Sequence, residues 1–133
     1  MQKKLLLFLT LKLSNMEQKT ALQQSCIEFA ANPIAANLRW EDCTTYSRND
    51  KERIPTTFDV GVDGVRVVIT CGHTHHRPAW VFHCYLIGFD TCFLGAGMTA
   101  KEAAEMAIAM CRKRVQRLHD SFFETDIDEV DKL

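Results

Sequence analysis

The residues best suited to chemistry lie in Cys71-Gly72-His73-Thr74-His75-His76, followed by His83 and Cys84 and then by Cys92. Imidazole and thiolate are zinc ligands, and a hairpin tip brings such groups together from both of its arms. Cys71, His73, His75 and His76 therefore form the candidate metal set. The spacing contains no paired Cys-x-x-Cys and no His-x-x-x-His, and strand alternation sends Cys71 and Cys84 towards a core, away from loop histidines. A polar hairpin loop flanked by core thiols is the preferred reading, with no cofactor expected and zinc as the alternative. A Cys–His nucleophilic pair needs a depressed thiol pKa and an oxyanion site, and sequence spacing certifies neither. The chain has no glycine-rich phosphate loop and no nucleophile elbow, and Asp126-x-Asp128 lacks the glycine and closing glutamate of a calcium loop. A non-enzymatic protein is expected.

Arg112, Lys113, Arg114 and Arg117 form a second candidate site, a basic cluster that could meet phosphate or an acidic protein surface. Its plain alternative is a solvated helix end, where cations complement the helix dipole. From Asp120 onward the chain is acidic, with Glu124, Asp126, Asp128, Glu129 and Asp131. Phe122, Phe123, Ile127 and Val130 are interspersed there, which fits either a docking segment or a last turn packing home. A formal charge of -1 over 133 residues lacks the basic surplus of a general nucleic-acid binder, so any such contact is local.

The elements that must position these groups follow from periodicity. Phe58, Val60 and Val62 alternate up to Asp63-Gly64, and Val65, Val67, Ile69 and Cys71 alternate away from it. Asp-Gly between two such runs specifies a two-residue type I′ hairpin, which pairs Val62 with Val65, Val60 with Val67 and Phe58 with Ile69 on one face. Asp59, Gly61, Arg66, Val68 and Thr70 occupy the other face, which is expected to stay uncovered. Trp80 to Ile87 reads as a central strand interrupted by His83. A turn at Gly88-Phe89-Asp90 leads to a short fourth strand, Thr91 to Leu94.

Helices flank these strands. Ser14 and Glu17 form a capping-box pattern ahead of a helix over 16–31, and Asn32-Pro33 reads as a stop and restart into a second short helix ending near Trp40. Residues 41–54 are polar, without periodicity, and form the longest loop. Thr99 and Glu102 cap the last helix, whose stripe Ala100, Ala104, Ala107, Ile108, Cys111, Val115, Leu118 and Phe122 is expected to lie on the sheet. Ala103, Met106 and Met110 stand on its flank, where packing against the first helix is expected. The fold class is thus α+β, a four-stranded antiparallel sheet covered on one face by helices, in the order α-α-β-β-β-β-α.

An apolar content of 47% with 25% charged residues is ordinary for one domain, placed at 16–123, with 124–133 as an acidic tail. Met1-Gln-Lys-Lys followed by Leu5-Leu6-Leu7-Phe8-Leu9 imitates a signal peptide, but Lys12 interrupts it and no cleavage motif follows. Residues 1–15 are read as an extension outside the core, with Met16 as a possible start. Of the six cysteines, Cys26 and Cys111 fall on apolar faces of predicted helices and Cys71 and Cys84 in strands, which fits free thiols in a reducing, cytoplasmic setting, with no membrane contact.

The stretch from Val81 to Met110, a strand, a turn, a short strand, Gly95-Ala96-Gly97 and then Thr99-Ala-Lys101-Glu-Ala-Ala, resembles the second half of a double-stranded-RNA-binding domain. In that family, lysines that open the last helix grip phosphates. Lys101 matches, beside Glu102 and Glu105; the family's Gly-Pro-x-His loop has no counterpart in His75-His76-Arg77-Pro78. The resemblance covers about a quarter of the chain and implies strands followed by a helix.

The expectation for function is a small interaction protein that docks onto a protein or nucleoprotein complex, in the manner of phage or prophage products that block a host complex. Arg112, Lys113, Arg114, Arg117, Arg66 and the loop His73, His75, His76 and Arg77 would supply contacts. RNA or DNA binding through the basic helix end is one alternative, and a zinc-supported hairpin or hydrolase is the other. The sequence does not define an oligomeric state.

Overall fold

Asp63 and Gly64 both take positive φ, 50° and 80°, the type I′ geometry that their sequence dictates. They join β4 (Thr57–Val62) to β5 (Val65–Cys71) with the expected register, Phe58 opposite Ile69, Val60 opposite Val67 and Val62 opposite Val65. The computed structural model describes residues 20–48, 53–72 and 79–131, with side chains to Glu124. β6 (Ala79–Cys84) pairs with β5, and β7 (Phe89–Ala96) pairs with β6 after a 3-10 turn at Tyr85–Ile87 that Gly88 closes at φ 89°.

The main sheet has five strands, not four, in the order β3-β4-β5-β6-β7, all antiparallel. The addition is β3 (Glu41–Asp42), which sets Glu41 opposite Asp59 and Asp42 opposite Phe58. A two-residue edge strand of polar residues has no periodicity to detect, because its only requirement is the free backbone edge of β4.

The expected second helix after Asn32 is also replaced. Pro33 opens a small hairpin, β1 (Ile34–Ala35) and β2 (Leu38–Arg39), turning through Ala36 and Asn37 at φ 54° and 60°. The Trp40 amide donates to the Pro33 carbonyl at 2.7 Å, across the hairpin rather than along a helix. This turn lets Ala35 and Trp40 enter the core together, with the Trp40 indole N–H donating to the Ala35 carbonyl at 3.3 Å. Burying a large apolar side chain contributes about 1.5–3 kcal/mol, enough to outweigh local helix preference.

Helix α1 spans Ala21–Ala31, starting at Ala21 rather than at 16. Thr20 is extended and caps it, its hydroxyl accepting from the Gln23 amide while the Gln23 side chain accepts from the Thr20 amide. The Ser14–Glu17 box lies outside the described residues. Phe29 of α1 meets Phe58 edge-on at 4.9 Å and Trp40 at 6.3 Å, which fixes α1 over the β4 side of the sheet.

Helix α2 (Ala100–Asp131) starts at the Thr99–Glu102 capping box, with Thr99 N–H to Glu102 at 3.0 Å and Glu102 N–H to the Thr99 hydroxyl at 3.1 Å. The Thr99 backbone amide, and after it the Thr99 side chain, hold the Glu102 carboxyl below its ordinary pKa. Ala100, Ala103, Ala104 and Ala107 are fully buried, so the helix backbone rides close to the sheet. Ser25 of α1 donates to the Leu22 carbonyl and accepts from the Ala100 amide at 3.1 Å, tying the two helices together.

Burial of the apolar stripe against the sheet ends at Cys111. Val115, Leu118 and Phe122, expected to continue the buried stripe, are 51%, 38% and 67% exposed. The reason is length: a 32-residue helix spans ~48 Å at 1.5 Å per residue. Strands of six to eight residues reach only ~20–27 Å. The helix outruns its support and continues through the acidic residues to Asp131.

Candidate functional site

Both helices pack on the face that carries Phe58, Ile69, Trp80 and Phe82. On the opposite face the alternation places Thr57, Thr70, Val81 and Phe93 in one cross-strand row, and Asp59, Val68 and His83 in the next. Val68, in the middle, is only 3% exposed, whereas Phe93 is 67% exposed. The His83 ring stacks on Tyr85 at 4.6 Å, and Tyr85 is 65% exposed. Arg66 Nε donates to Asp59 Oδ2 at 2.7 Å, an exposed pair that contributes about 0–1 kcal/mol and leaves much of the guanidinium available. This face therefore offers two aromatic rings, a valine floor and one cation.

On the helical side an open groove of about 620 Å³ lies where α2 leaves the sheet, walled by Leu38, Val62, Val65, Ile108, Cys111 and Val115. Of the basic cluster, Arg112, Lys113 and Arg117 are exposed. Arg114 is not free surface: its guanidinium lies 4.6 Å over the Phe89 ring and its Nε is enclosed without a hydrogen-bond partner. Arg114 therefore closes the end of the core beside Gly88. Arg66 stands on the other side of the sheet, so it and the helix cations form two surfaces.

No family model, curated protein or solved structure matches this chain.

Of the candidate metal set, Cys71 alone falls within the described residues. That thiol is buried, with its sulfur 3.8 Å from the sulfur of Cys26 in α1. The hydrogen bond shared with Cys26, then burial, pushes the Cys71 thiol far up, so it stays protonated. Burial, with Cys84 and Cys92 nearby, pushes the Cys111 thiol up to about 12. His73, His75, His76 and Arg77 lie outside the described residues. Among the described residues no group of three or more histidine, cysteine or acidic side chains could hold a metal ion, and no helix is long and apolar enough to cross a membrane.

The polar loop after β3 has a structural role. The Thr44 hydroxyl accepts from the Thr56 and Thr57 amides at 2.9 and 3.0 Å and donates to Asp42 at 2.6 Å. Tyr46 donates to the same Asp42 carboxylate, and Arg53 lies over the Tyr46 ring at 5.6 Å. These bonds hold the start of the loop against β4. The sequence reading overlooked Phe93 and Tyr85 as surface residues. Alternation alone pairs Phe93 with the Val81 side, but which side stays bare depends on where the helices dock.

Proposed function

We propose that this protein is a non-enzymatic interaction module that docks onto a protein or nucleoprotein complex through the bare face of its sheet. The observation that carries this reading is the exposure of Phe93 and Tyr85 on a face that neither helix covers. Exposed tyrosine, phenylalanine and arginine on a rigid surface are what protein interfaces use as anchors. Val68 provides a packed floor, and the Arg66–Asp59 pair supplies a polar rim.

The test uses Phe93→Asp combined with Tyr85→Ser. Both side chains are exposed, so far-UV circular dichroism and thermal melting should stay close to the parent. Binding to the partner captured by the parent chain should weaken by about tenfold or more, the size of an interface hot spot. Equal binding by parent and variant would reject this face.

Direct nucleic-acid binding is the second reading, and the exposure of Arg112, Lys113 and Arg117 on a projecting helix favours it. Such affinity falls steeply between low and moderate salt. A labelled duplex that does not shift at low salt removes this reading.

A further inference from the structure

The part of α2 beyond Cys111 has the composition of a helix that pairs with another. Ala104, Ile108, Cys111, Val115, Leu118 and Phe122 recur at alternating steps of four and three, the spacing of a coiled-coil seam. The first three are buried against the sheet and the last three are bare. Its charges do not support a lone helix. Lys113 with Arg117, Asp120 with Glu124 and Glu124 with Asp128 are like-charge pairs four residues apart, which destabilise a helix. The acidic residues also crowd the C-terminal end, where the helix dipole disfavours them. Among the described residues no ion pair joins the basic block to the acidic block.

We propose that α2 is a dimerisation element, with residues 112–128 of two copies of this chain pairing antiparallel, the basic block of each against the acidic block of the other. Setting Leu118 against Phe122 of the second copy sets Val115 against Thr125. The flanking positions then match Arg112 with Asp126, a place where interhelical salt bridges select a partner and its direction. A parallel pair would oppose basic with basic and acidic with acidic. Antiparallel pairing also lets the two helix dipoles oppose each other.

The groove between α2 and the sheet end lies where this pairing needs it. In this register the last turns of the second copy, 125–131, arrive beside Cys111 and Val115, at the groove walled by Leu38, Val62 and Val65. Lys113 and Arg117 stay off the seam and remain on the surface. The pairing uses a different surface from the bare sheet face, so the two proposals stand or fall separately.

Sedimentation equilibrium of the full chain tests the pairing. The parent should run at twice 15.2 kDa. Leu118→Asp with Phe122→Asp should give a single-copy mass with unchanged circular dichroism, since both side chains are exposed in one copy. Arg112→Glu alone and Asp126→Arg alone should each weaken dimerisation by about tenfold, and the two together in one chain should restore it, because the swapped charges meet in trans. Phe93→Asp should leave the mass unaltered. A parent that stays at 15.2 kDa at every concentration overturns the proposal. So does a dimer indifferent to the Leu118 and Phe122 changes, or charge reversals that fail to rescue each other. Seam exposure in a single-copy parent that increases on removing residues 1–19, or a single-copy parent that holds a different protein on this stripe, also overturns it.

Discussion

The sulfur atoms of Cys26 and Cys71 lie 3.8 Å apart in the core, bridging α1 and β5 across 45 residues of chain. Neither is in a disulfide, and both are buried. With Cys84 and Cys111 also buried, four of the six cysteines act as small apolar side chains between helices and sheet.

A thiol reagent distinguishes these classes. In the native protein Cys43 and Cys92, each half-buried, should be labelled, while Cys26, Cys71, Cys84 and Cys111 become reactive only in denaturant. Cys43 should react more slowly than free cysteine at mildly alkaline pH, because burial and the Asp59 charge raise its pKa. Peptide mass mapping after timed labelling gives the order; fast labelling of Cys71 in the folded state would contradict the packing.

Stability should decline in alkali. The Cys111 thiol, pushed up to about 12 from an ordinary 9.0, keeps its proton in the folded protein after the unfolded chain has released its own. The folded state then binds more protons, so this contribution is complete below pH 9 and is lost as pH rises towards 12. Urea midpoints measured on either side of pH 9 should fall with pH, and Cys111→Ala should show a shallower fall.

Two turn substitutions should act in opposite directions. Ala36 is held at φ 54°, a left-handed conformation that costs an L-residue roughly 1–2 kcal/mol. Ala36→Gly should stabilise by ~0.5 kcal/mol after glycine's extra chain entropy is subtracted. Gly64→Ala, at φ 80°, should destabilise by ~1 kcal/mol. Denaturant titration of both reads out the pair.

Arg114 and Arg117, three residues apart on α2, should differ sharply. Arg114→Ala removes the cation over Phe89 and should cost about 1–2 kcal/mol. Arg117→Ala, on exposed surface, should stay within about 0.5 kcal/mol. Equal melting temperatures for the two variants would show that Arg114 does not close the core.

Ala104 of α2 sits fully buried where the helix meets the sheet. Ala104→Leu should force the helix away from the sheet and cost about 1–3 kcal/mol. Met106→Leu, on the exposed flank, should be nearly neutral by thermal melting.

The sequence alone determined what rests on neighbours along the chain. The Asp63-Gly64 turn, the Phe58-to-Ile69 register and the Thr99 cap each follow from a few adjacent residues, whose dihedral and hydrogen-bond preferences need no distant partner. Only the tertiary structure decided the hairpin at Ala36-Asn37, the edge strand at Glu41–Asp42 and the end of helix burial at Cys111. Each of these depends on something remote: a core for Trp40, a free backbone edge on β4, a sheet shorter than the helix that crosses it. A helical stripe reads the same whether its apolar face meets a sheet or solvent, so periodicity predicted the face of α2 but not where its cover ends.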